Sequence, residues 1–326
     1  MTAGTRPVVL ITGTSSGIGL ATAVAAARAG YAVAATMRDP ERCGALLDAA
    51  ERAGVRLDVR RLDVTDEESV VDCVAAVGRD HGRLDAVVNN AGISNFDPTL
   101  EMSGAAALRA NLEVNLFGVL AVTRVALPLL RAAGGSLVTI GSVHGVVGQP
   151  FNEAYSAAKA GVEGFMEALA PVVAVHGVRV SMVVPGFVRG TRFGIFPDVN
   201  RRTVEAASGP YAPTFAAYLA WIAGQGWERA SQDADEVAEV VVRTLGEQRP
   251  AFRVPTNAWA ADYLRLKLAD GDGRNVQRLA RTWIGRPPEE PDEPERPQLV
   301  EQPEQPEQHA PQDLMGEEPA ACPPRA

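Results

Sequence analysis

The 326-residue sequence contains only three cysteines: Cys43, Cys73 and Cys322. Three is an odd number and too few for a disulfide framework, and no two of them form the C-x-x-C pair that binds metal. The N-terminus also lacks a basic stretch followed by an apolar core, which marks exported proteins. These absences favour a cytoplasmic protein without a metal site and without stable membrane insertion.

Clustered basic charge is also missing from the body of the chain. The formal net charge is −9. Residues 286–326 account for −8 of it, with eleven acidic and three basic residues, which leaves the body near −1. Nucleic acids and anionic membranes are bound through clustered basic side chains. We therefore expect no nucleic-acid partner.

The last 41 residues have a composition of their own. Eleven of the 23 prolines lie in residues 286–326, together with repeated Glu and Gln and few apolar side chains. Such a segment cannot bury enough surface to offset the entropy of ordering it, so we predict a disordered tail. It is either a solubilising tail or a proline-rich docking motif.

The rest of the chain alternates short β-branched runs with longer Ala-rich helical stretches. This pattern is typical of an α/β fold in which helices cover both faces of a doubly wound, Rossmann-type parallel sheet. We predict one domain over residues 1–256 and an amphipathic helical extension over residues 257–285. The extension either covers the pocket or a dimer face, or is a solvated helix. About seven strands are predicted, at residues 7–12, 31–36, 57–62, 84–89, 136–140, 178–184 and 251–254.

A glycine-rich turn follows the first predicted strand and opens a helix. In Thr12-Gly-Thr-Ser-Ser-Gly-Ile-Gly19, Gly13 permits a tight turn, Gly17 lets a pyrophosphate approach the backbone, and Gly19 allows close packing. The free N–H groups of a helix N-terminus favour phosphate binding. The G-x-x-x-G-x-G spacing departs from the commoner dinucleotide pattern. The predicted cofactor residues of this turn are Gly13, Ser15, Ser16, Gly17, Ile18 and Gly19.

The second predicted strand ends in Thr36-Met-Arg38-Asp39, where a dinucleotide-binding fold reads the adenosine ribose. An arginine there suits the 2′-phosphate of NADP, whereas a carboxylate suits the 2′-hydroxyl of NAD. Arg38 therefore favours NADP(H) over NAD(H). If the strand ends one residue later, Asp39 would contact the ribose instead.

Two further strand ends carry candidate cofactor residues. Asp63, followed by Val64, would accept a hydrogen bond from the adenine amino group, or would cap a helix starting near Thr65. Asn89-Asn90-Ala91-Gly92 closes the fourth strand, where the paired amides either tie strand ends together beside the cofactor or form an ordinary turn. From this motif we assign Asn90, Ala91 and Gly92 to the cofactor site.

Tyr155 and Lys159 form a Y-x-x-x-K pair on one face of a predicted helix. Lys159 is one of only two lysines in a chain with 29 arginines, which favours a specific use of a compact ammonium group. A phenol with a pKa of about 10 is a poor base near neutrality, so Tyr155 needs a nearby cation that lowers its pKa. Ser142, after the fifth strand, and Asn115, on the preceding long helix, complete the candidate set, although such residues often serve only turns and backbone.

Taken together, these motifs resemble the short-chain dehydrogenase/reductase family over residues 7–254. The resemblance implies a catalytic tetrad in which Tyr155 transfers a proton, Ser142 positions the substrate oxygen, Lys159 holds the nicotinamide ribose and Asn115 supports a water-linked relay. It adds Pro185, Gly186 and Val188 to the cofactor site and implies a homodimer or homotetramer. Thr191 stands one position later than in the family pattern, so its carboxamide contact is not implied.

Within that family, the Ala35-Thr-Met-Arg-Asp39 motif and the long C-terminal extension resemble the 17β-hydroxysteroid and retinol dehydrogenase-like branch. Eight of the 18 aromatic residues fall between Phe187 and Trp227, inside the predicted substrate loop and lid at about residues 187–232. Four apolar residues recur at helical spacing in this region: Tyr211, Phe215, Tyr218 and Ile222. They form either the hydrophobic face of a lid helix or part of the ordinary core.

These features predict an oxidoreductase that acts on a hydrophobic alcohol, ketone or aldehyde. The alternative is a catalytically idle NADP-sensing or scaffold protein with the same fold. A pure sensor has no need of a proton-transfer set, so the presence of all four tetrad residues favours the enzyme.

Overall fold

The computed structural model describes residues 6–94, 96–191, 198–224, 230–269, 279 and 282. The chain divides into two compact units at Pro288, and every described residue lies in the first of them. The predicted tail at residues 286–326 lies outside the described residues. So does most of the predicted extension beyond Ala269.

A seven-stranded parallel sheet forms the centre of the described fold, in the order β3-β2-β1-β4-β5-β6-β9. This confirms the predicted fold class and all seven predicted strands to within three residues at either end. The central strands are fully buried Val-, Ile- and Leu-rich runs, as expected of a sheet covered on both faces. The strands are β1 (Val8–Thr12), β2 (Ala32–Met37), β3 (Asp58–Arg61), β4 (Ala86–Asn89), β5 (Ser136–Ile140), β6 (Arg179–Val184) and β9 (Arg253–Pro255).

Helices pack on both faces of this sheet. Their bounds are α1 (Gly17–Arg28), α2 (Gly44–Arg52), α3 (Glu67–His81), α4 (Ala105–Leu112), α5 (Gly118–Ala133), α6 (Val143–Val146), α7 (Glu153–Ala174), α8 (Asp198–Ala207), α9 (Ala212–Gly224), α10 (Ala234–Gly246) and α11 (Ala258–Leu268). One core cluster joins the sheet to α3, α5 and α7, and a second joins it to α1, α2 and α10. Small alanines on α1, including Ala23 and Ala26, let it pack closely on the sheet.

The strand order reverses direction between β1 and β4, which are neighbours in the sheet. Because all seven strands are parallel, the residues that follow β1, β4 and β5 meet at one edge of the sheet. In open α/β sheets the crevice at this reversal is where ligands bind. The fold therefore brings the glycine turn, the Asn90 segment and Ser142 to one place.

The predicted loop and lid region contains two short strands that were not predicted from the sequence. Phe187–Val188 (β7) pairs in parallel with Ser231–Gln232 (β8) in a separate two-stranded sheet. These runs are only two residues long, too short to show any periodicity. They anchor the two ends of the segment that carries α8 and α9.

The helical stretch Ala105–Ala133 is long and apolar enough to cross a membrane, and it contains an 18-residue window with a mean hydropathy of 1.7. It comprises α4, a π-helical turn at Glu113–Phe117 and α5. Val122, Ala126 and Leu130 on this stretch belong to the core. A core helix of a soluble protein meets the same criteria of length and composition, so the stretch is weak evidence for a membrane span.

Candidate active site

A cavity of about 960 Å³ opens at the sheet edge described above. Every predicted cofactor residue lines it, as do three members of the predicted tetrad. The exception is Asn115, which is fully buried behind the wall. Among the described residues no group of three His, Cys, Asp or Glu side chains is placed to hold a metal ion.

The glycine turn is shaped by close contacts that only glycine permits. Gly13 and Gly17 have φ values of 73° and 59°, which L side chains rarely adopt. A Cβ atom on Gly19 would lie 2.3 Å from the carbonyl oxygen of Gly13 and 2.4 Å from Nδ2 of Asn90. The turn therefore leaves bare backbone at the N-terminus of α1, where a pyrophosphate would need to approach.

A hydrogen-bond network joins this turn to the end of β4. Thr12 Oγ1 accepts from the backbone N–H groups of Asn90 and Ala91, at 3.0 and 2.9 Å. In return, Asn90 Nδ2 donates to the carbonyl oxygens of Thr12 and Gly13, at 2.8 and 3.1 Å. Asn90 thus ties the strand ends together, as one of the two readings of its motif predicts. The role of Thr12 was not identified from the sequence.

Asp63 also lines the cavity, but its carboxylate closes a local turn. Its Oδ1 accepts from the backbone N–H and the hydroxyl of Thr65, at 3.0 and 2.8 Å. The helix-cap alternative is wrong, because α3 begins at Glu67 and Asp66 caps it. A carboxylate has lone pairs left after two hydrogen bonds, so Asp63 can still accept one from a ligand.

β2 ends at Met37, one residue later than predicted, so the condition given above for the Asp39 alternative is met, and the contacts of Asp39 and Arg38 must be compared directly. Asp39 Oδ1 accepts from the backbone N–H of Glu41 at 3.1 Å, and Asp39 Oδ2 lies 3.4 Å from Nε of Arg42. Arg38 is exposed and has no hydrogen-bond or ion-pair partner among the described residues. Arg42 also lines the cavity, although it was not predicted from the sequence. Its position three residues after Asp39 could have indicated it.

Tyr155 and Ser142, two members of the predicted tetrad, lie next to each other in the cavity wall. Both are more than nine-tenths buried, and both line the cavity. Burial raises the pKa of Tyr155 to about 12, and hydrogen bonding by Ser142 lowers it only in part. A pKa below 10 was expected from Lys159. The shift is in the other direction, because desolvation of the phenolate dominates.

Lys159 lies beside Tyr155, and its ammonium group reaches the carboxyl end of β5. Its Nζ donates to the carbonyl oxygen of Ile140 at 2.9 Å and lies 5.8 Å from the centre of the Tyr155 ring. Burial lowers the pKa of Lys159 to about 8, because the charged ammonium is removed from water. The helix therefore holds lysine and phenol side by side, as the i,i+4 spacing predicts.

Asn115 lies in the π-helical turn between α4 and α5, and its amide is fully engaged. Oδ1 accepts from the backbone N–H of Ile93 at 3.1 Å, and Nδ2 donates to the carbonyl oxygen of Ile93 and to Oδ1 of Asn111, at 2.8 and 2.7 Å. The amide holds the loop after β4 against the helix. Its part in a proton relay stays a prediction of the family resemblance.

The stripe of aromatic residues on α9 serves as core and as cavity wall. Phe215 and Tyr218 are buried and pack edge-on against Phe96, with ring centres 5.9 and 6.2 Å away. Tyr218 also borders the cavity, where its hydroxyl donates to Oε1 of Gln149 at 2.9 Å. Ile222 borders it as well. The predicted lid face and the predicted ordinary core are therefore each partly correct.

Pro185, Gly186 and Val188 form the opposite rim, next to Thr191. A Cβ atom on Gly186 would lie 3.1 Å from the Trp259 ring. Thr191 Oγ1 donates to the carbonyl oxygen of Val188 at 3.0 Å. The methyl group of Thr191 is 3.2 Å from the position of a Cβ on Gly17. Thr191 therefore reaches the phosphate end of the cavity although its spacing departs from the family pattern.

Comparison with known proteins identifies a family and relatives to which this chain is similar. A family model described as short chain dehydrogenase matches residues 7–195. Retinol dehydrogenase 8 of Bos taurus is 34% identical over 294 residues, which cover 86% of this chain and 91% of that protein. Human 17-beta-hydroxysteroid dehydrogenase type 1 is 35% identical over 293 residues, which cover 87% of this chain and 88% of that protein. The predicted branch is the one to which these two relatives point.

Solved structures with the same fold bind either nicotinamide cofactor. An alcohol dehydrogenase from the archaeon Thermococcus sibiricus, complexed with 5-hydroxy-NADP, is 26% identical with a TM-score of 0.62, covering 76% of this chain and 95% of that one. An NAD+-bound xylitol dehydrogenase is 25% identical with a TM-score of 0.62, covering 76% and 96%. The fold alone therefore does not distinguish the two cofactors.

Replacing Gly19 by Ala should disrupt the phosphate end of the cavity. The added Cβ would overlap the Gly13 carbonyl oxygen and the Asn90 amide, so the turn and the strand tie must both shift. We expect a lower Tm and at least about tenfold weaker cofactor binding, measured by thermal unfolding and by fluorescence titration with NADPH. Gly44→Ala is the control, because a Cβ there meets nothing within 4 Å. Equal cofactor affinity in both variants would contradict this account.

Proposed function

The chain belongs to the short-chain dehydrogenase family, and on that premise we propose that it transfers a hydride between NADP(H) and a hydrophobic alcohol, ketone or aldehyde, with Tyr155 as general acid and base. Membership of the family makes the chain an oxidoreductase that binds a nicotinamide cofactor. The cofactor choice, the residue roles and the substrate class are the proposal.

One observation carries the proposal: the buried Tyr155 and Ser142 side chains line the same cavity as the glycine turn. A proton donor or acceptor must lie within hydrogen-bond reach of the reacting oxygen. A substrate oxygen between these two hydroxyls would meet that condition. The glycine turn, in the same cavity, would hold the phosphates of the cofactor.

The chain's own residues supply positioning and proton transfer. Ser142 orients the substrate oxygen, and Tyr155 donates a proton to it in reduction or accepts one in oxidation. Lys159 favours the phenolate through its charge and is available to hold ribose hydroxyls. The nicotinamide, when bound, supplies or accepts the hydride. Tyr218 and Ile222 contribute to an apolar wall of the same cavity.

The cofactor preference is proposed from the partners of Arg38 and Asp39. The Asp39 carboxylate already accepts a backbone hydrogen bond and contacts Arg42, so it is committed to the turn. The Arg38 guanidinium is unpartnered among the described residues, and its fork geometry suits a phosphate. These contacts support NADP(H) over NAD(H).

The proposal also includes a hydrophobic substrate, a cytoplasmic location and a homo-oligomer. The hydrophobic substrate is supported by the apolar cavity wall that Phe96, Tyr218 and Ile222 form. Phe117 on the π-helical turn, Phe165 on α7 and Val172 on α7 are large apolar side chains that are 43–64% exposed. Exposed apolar residues on adjacent long helices support association of two copies. The idle-sensor alternative has no specific observation in its favour.

Tyr155→Phe should abolish turnover without loss of fold. The change removes the hydroxyl and keeps the ring that packs in the site, so thermal stability and NADPH binding should be preserved. Loss of general acid–base catalysis should lower kcat by at least about 100-fold. The measurement is kcat on a panel of hydrophobic ketones, beside an NADPH titration of the same sample. Tyr211→Phe, which loses a hydroxyl bonded to Glu101, is the control. Turnover within a few-fold of the parent would show that Tyr155 is structural.

The pH dependence should differ between the two directions of the reaction. Alcohol oxidation needs the phenolate, which is favoured as pH rises towards the Tyr155 pKa, so its rate should increase from about pH 7 to about pH 10. Ketone reduction needs the phenol. Because burial places the pKa of Tyr155 at about 12 without cofactor, the phenol should not limit reduction over that range. Initial rates in both directions test this. Oxidation that slows with rising pH would exclude a tyrosine base.

Arg38→Asp should reverse the cofactor preference. The change replaces a phosphate donor with a repelling carboxylate, so kcat/KM with NADPH should fall by at least about tenfold while the value with NADH is maintained or raised. Asp39→Asn is the matched variant. It should leave the preference unchanged, because that carboxylate serves the turn. Equal use of both cofactors by the parent protein, or a loss of NADH activity in Asp39→Asn, would favour the Asp39 alternative.

A further inference from the structure

His144 lies in the wall of the cavity but has no role in the mechanism above. It follows Ser142 by two residues in α6, and its backbone N–H donates to Ser142 Oγ at 3.2 Å. Its ring is packed edge-on against Tyr155 and Phe187, with ring centres 5.6 and 6.3 Å away. These contacts fix the imidazole beside the two hydroxyls that would hold the substrate oxygen.

Neither ring nitrogen of His144 has a hydrogen-bond partner among the described residues. Nδ1 is completely enclosed, whereas Nε2 is not. Buried polar atoms are nearly always hydrogen bonded, and an orphaned N–H donor is rarer than an orphaned acceptor. The proton of the neutral ring therefore belongs on Nε2, which leaves the enclosed Nδ1 as a bare acceptor.

The charge state of His144 limits the ligand that it can recognise. Burial lowers the pKa of His144 to about 4, because the imidazolium would lose its hydration. The ring is therefore neutral at ordinary pH and offers a single N–H donor instead of a positive charge. Such a donor can hydrogen-bond a neutral oxygen acceptor and supplies no positive charge to pair with an anion.

We propose that His144 is a specificity-determining residue whose Nε2–H donates a hydrogen bond to a second oxygen of the substrate, on a carbon next to the reacting carbon. This inference rests on the proposed function, because the reacting oxygen is assigned to Tyr155 and Ser142. The substrate class it selects is hydrophobic ketones with a neighbouring hydroxyl, ether or carbonyl oxygen, and the corresponding alcohols. A ketone without that oxygen would leave the Nε2–H group unpaired in a largely apolar site.

Two ketones of similar shape test the proposal. In 2-hydroxyacetophenone the carbon beside the carbonyl carries a hydroxyl, and in propiophenone it carries a methyl group. The preference is the ratio of their kcat/KM values with NADPH. His144→Phe keeps a flat ring against Tyr155 and removes the donor, so we expect this ratio to fall by about tenfold relative to the parent. The comparison between proteins cancels the difference in intrinsic reactivity of the two ketones.

Two further variants separate hydrogen bonding from packing. His144→Asn restores an N–H donor on a smaller side chain and should recover part of the preference. His176→Phe removes an exposed histidine beyond the end of α7 and should leave the ratio unchanged. A ratio within twofold of the parent in His144→Phe would overturn the proposal.

A spectroscopic measurement decides the inference even if neither ketone is reduced. The chain has four histidines, so ¹⁵N signals missing from His144→Phe identify those of His144. In the full-length protein we expect the proton on Nε2. Addition of 2-hydroxyacetophenone to the NADP+-saturated protein should shift that resonance more than propiophenone does. A proton on Nδ1, or equal shifts with both ketones, would overturn the inference. Absence of turnover together with the expected shifts would count against the proposed function, and it would support only the hydrogen bond from His144 to the oxygen of the bound ligand.

Discussion

The structure depends on the hydrogen-bond network that joins Thr12 to Asn90. Thr12 ends β1 and Asn90 directly follows β4, on either side of the point where the sheet reverses its order, and four hydrogen bonds join these two residues and their neighbours. The network is compact only because Gly19 has no Cβ atom. It therefore fixes at once the separation of β1 and β4, the start of α1 and the depth of the cavity between them.

Burial at the other end of the cavity acts oppositely on the two titrating groups. It raises the pKa of Tyr155 to about 12 and lowers that of Lys159 to about 8, so the phenol is held neutral while the ammonium still carries its charge near pH 7. A phenol held neutral is a ready proton donor, which suits reduction of a carbonyl. Oxidation requires the phenolate, whose formation is favoured by positive charge brought near the ring. In the proposed mechanism the same pocket would thus serve both directions, with the charge of the bound ligand setting the balance.

Much of the fold and of the candidate site could be predicted from the sequence because local patterns determine them. Buried strands such as β1 are continuous apolar runs, and the Tyr155–Lys159 spacing places both side chains on one helix face. The rest depends on tertiary contacts. The sign of the Tyr155 shift depends on how deeply the ring is buried. The commitment of Asp39 to its turn and the enclosure of Nδ1 in His144 arise from neighbours that no local pattern reveals.

Phe151 shows how the aromatic wall and α7, the helix that carries Tyr155, constrain each other. It is the one non-glycine residue with positive φ in the part of the chain described, at 58°, a conformation that costs a bulky side chain about 1–3 kcal/mol. Its ring is 3% exposed and packs against Phe215, with ring centres 4.9 Å apart, and its carbonyl oxygen accepts from the backbone N–H of Asp97 at 3.0 Å. Burial of the ring offsets the strain. Because α7 begins two residues later, the wall contributed by α9 also helps to determine where Tyr155 lies.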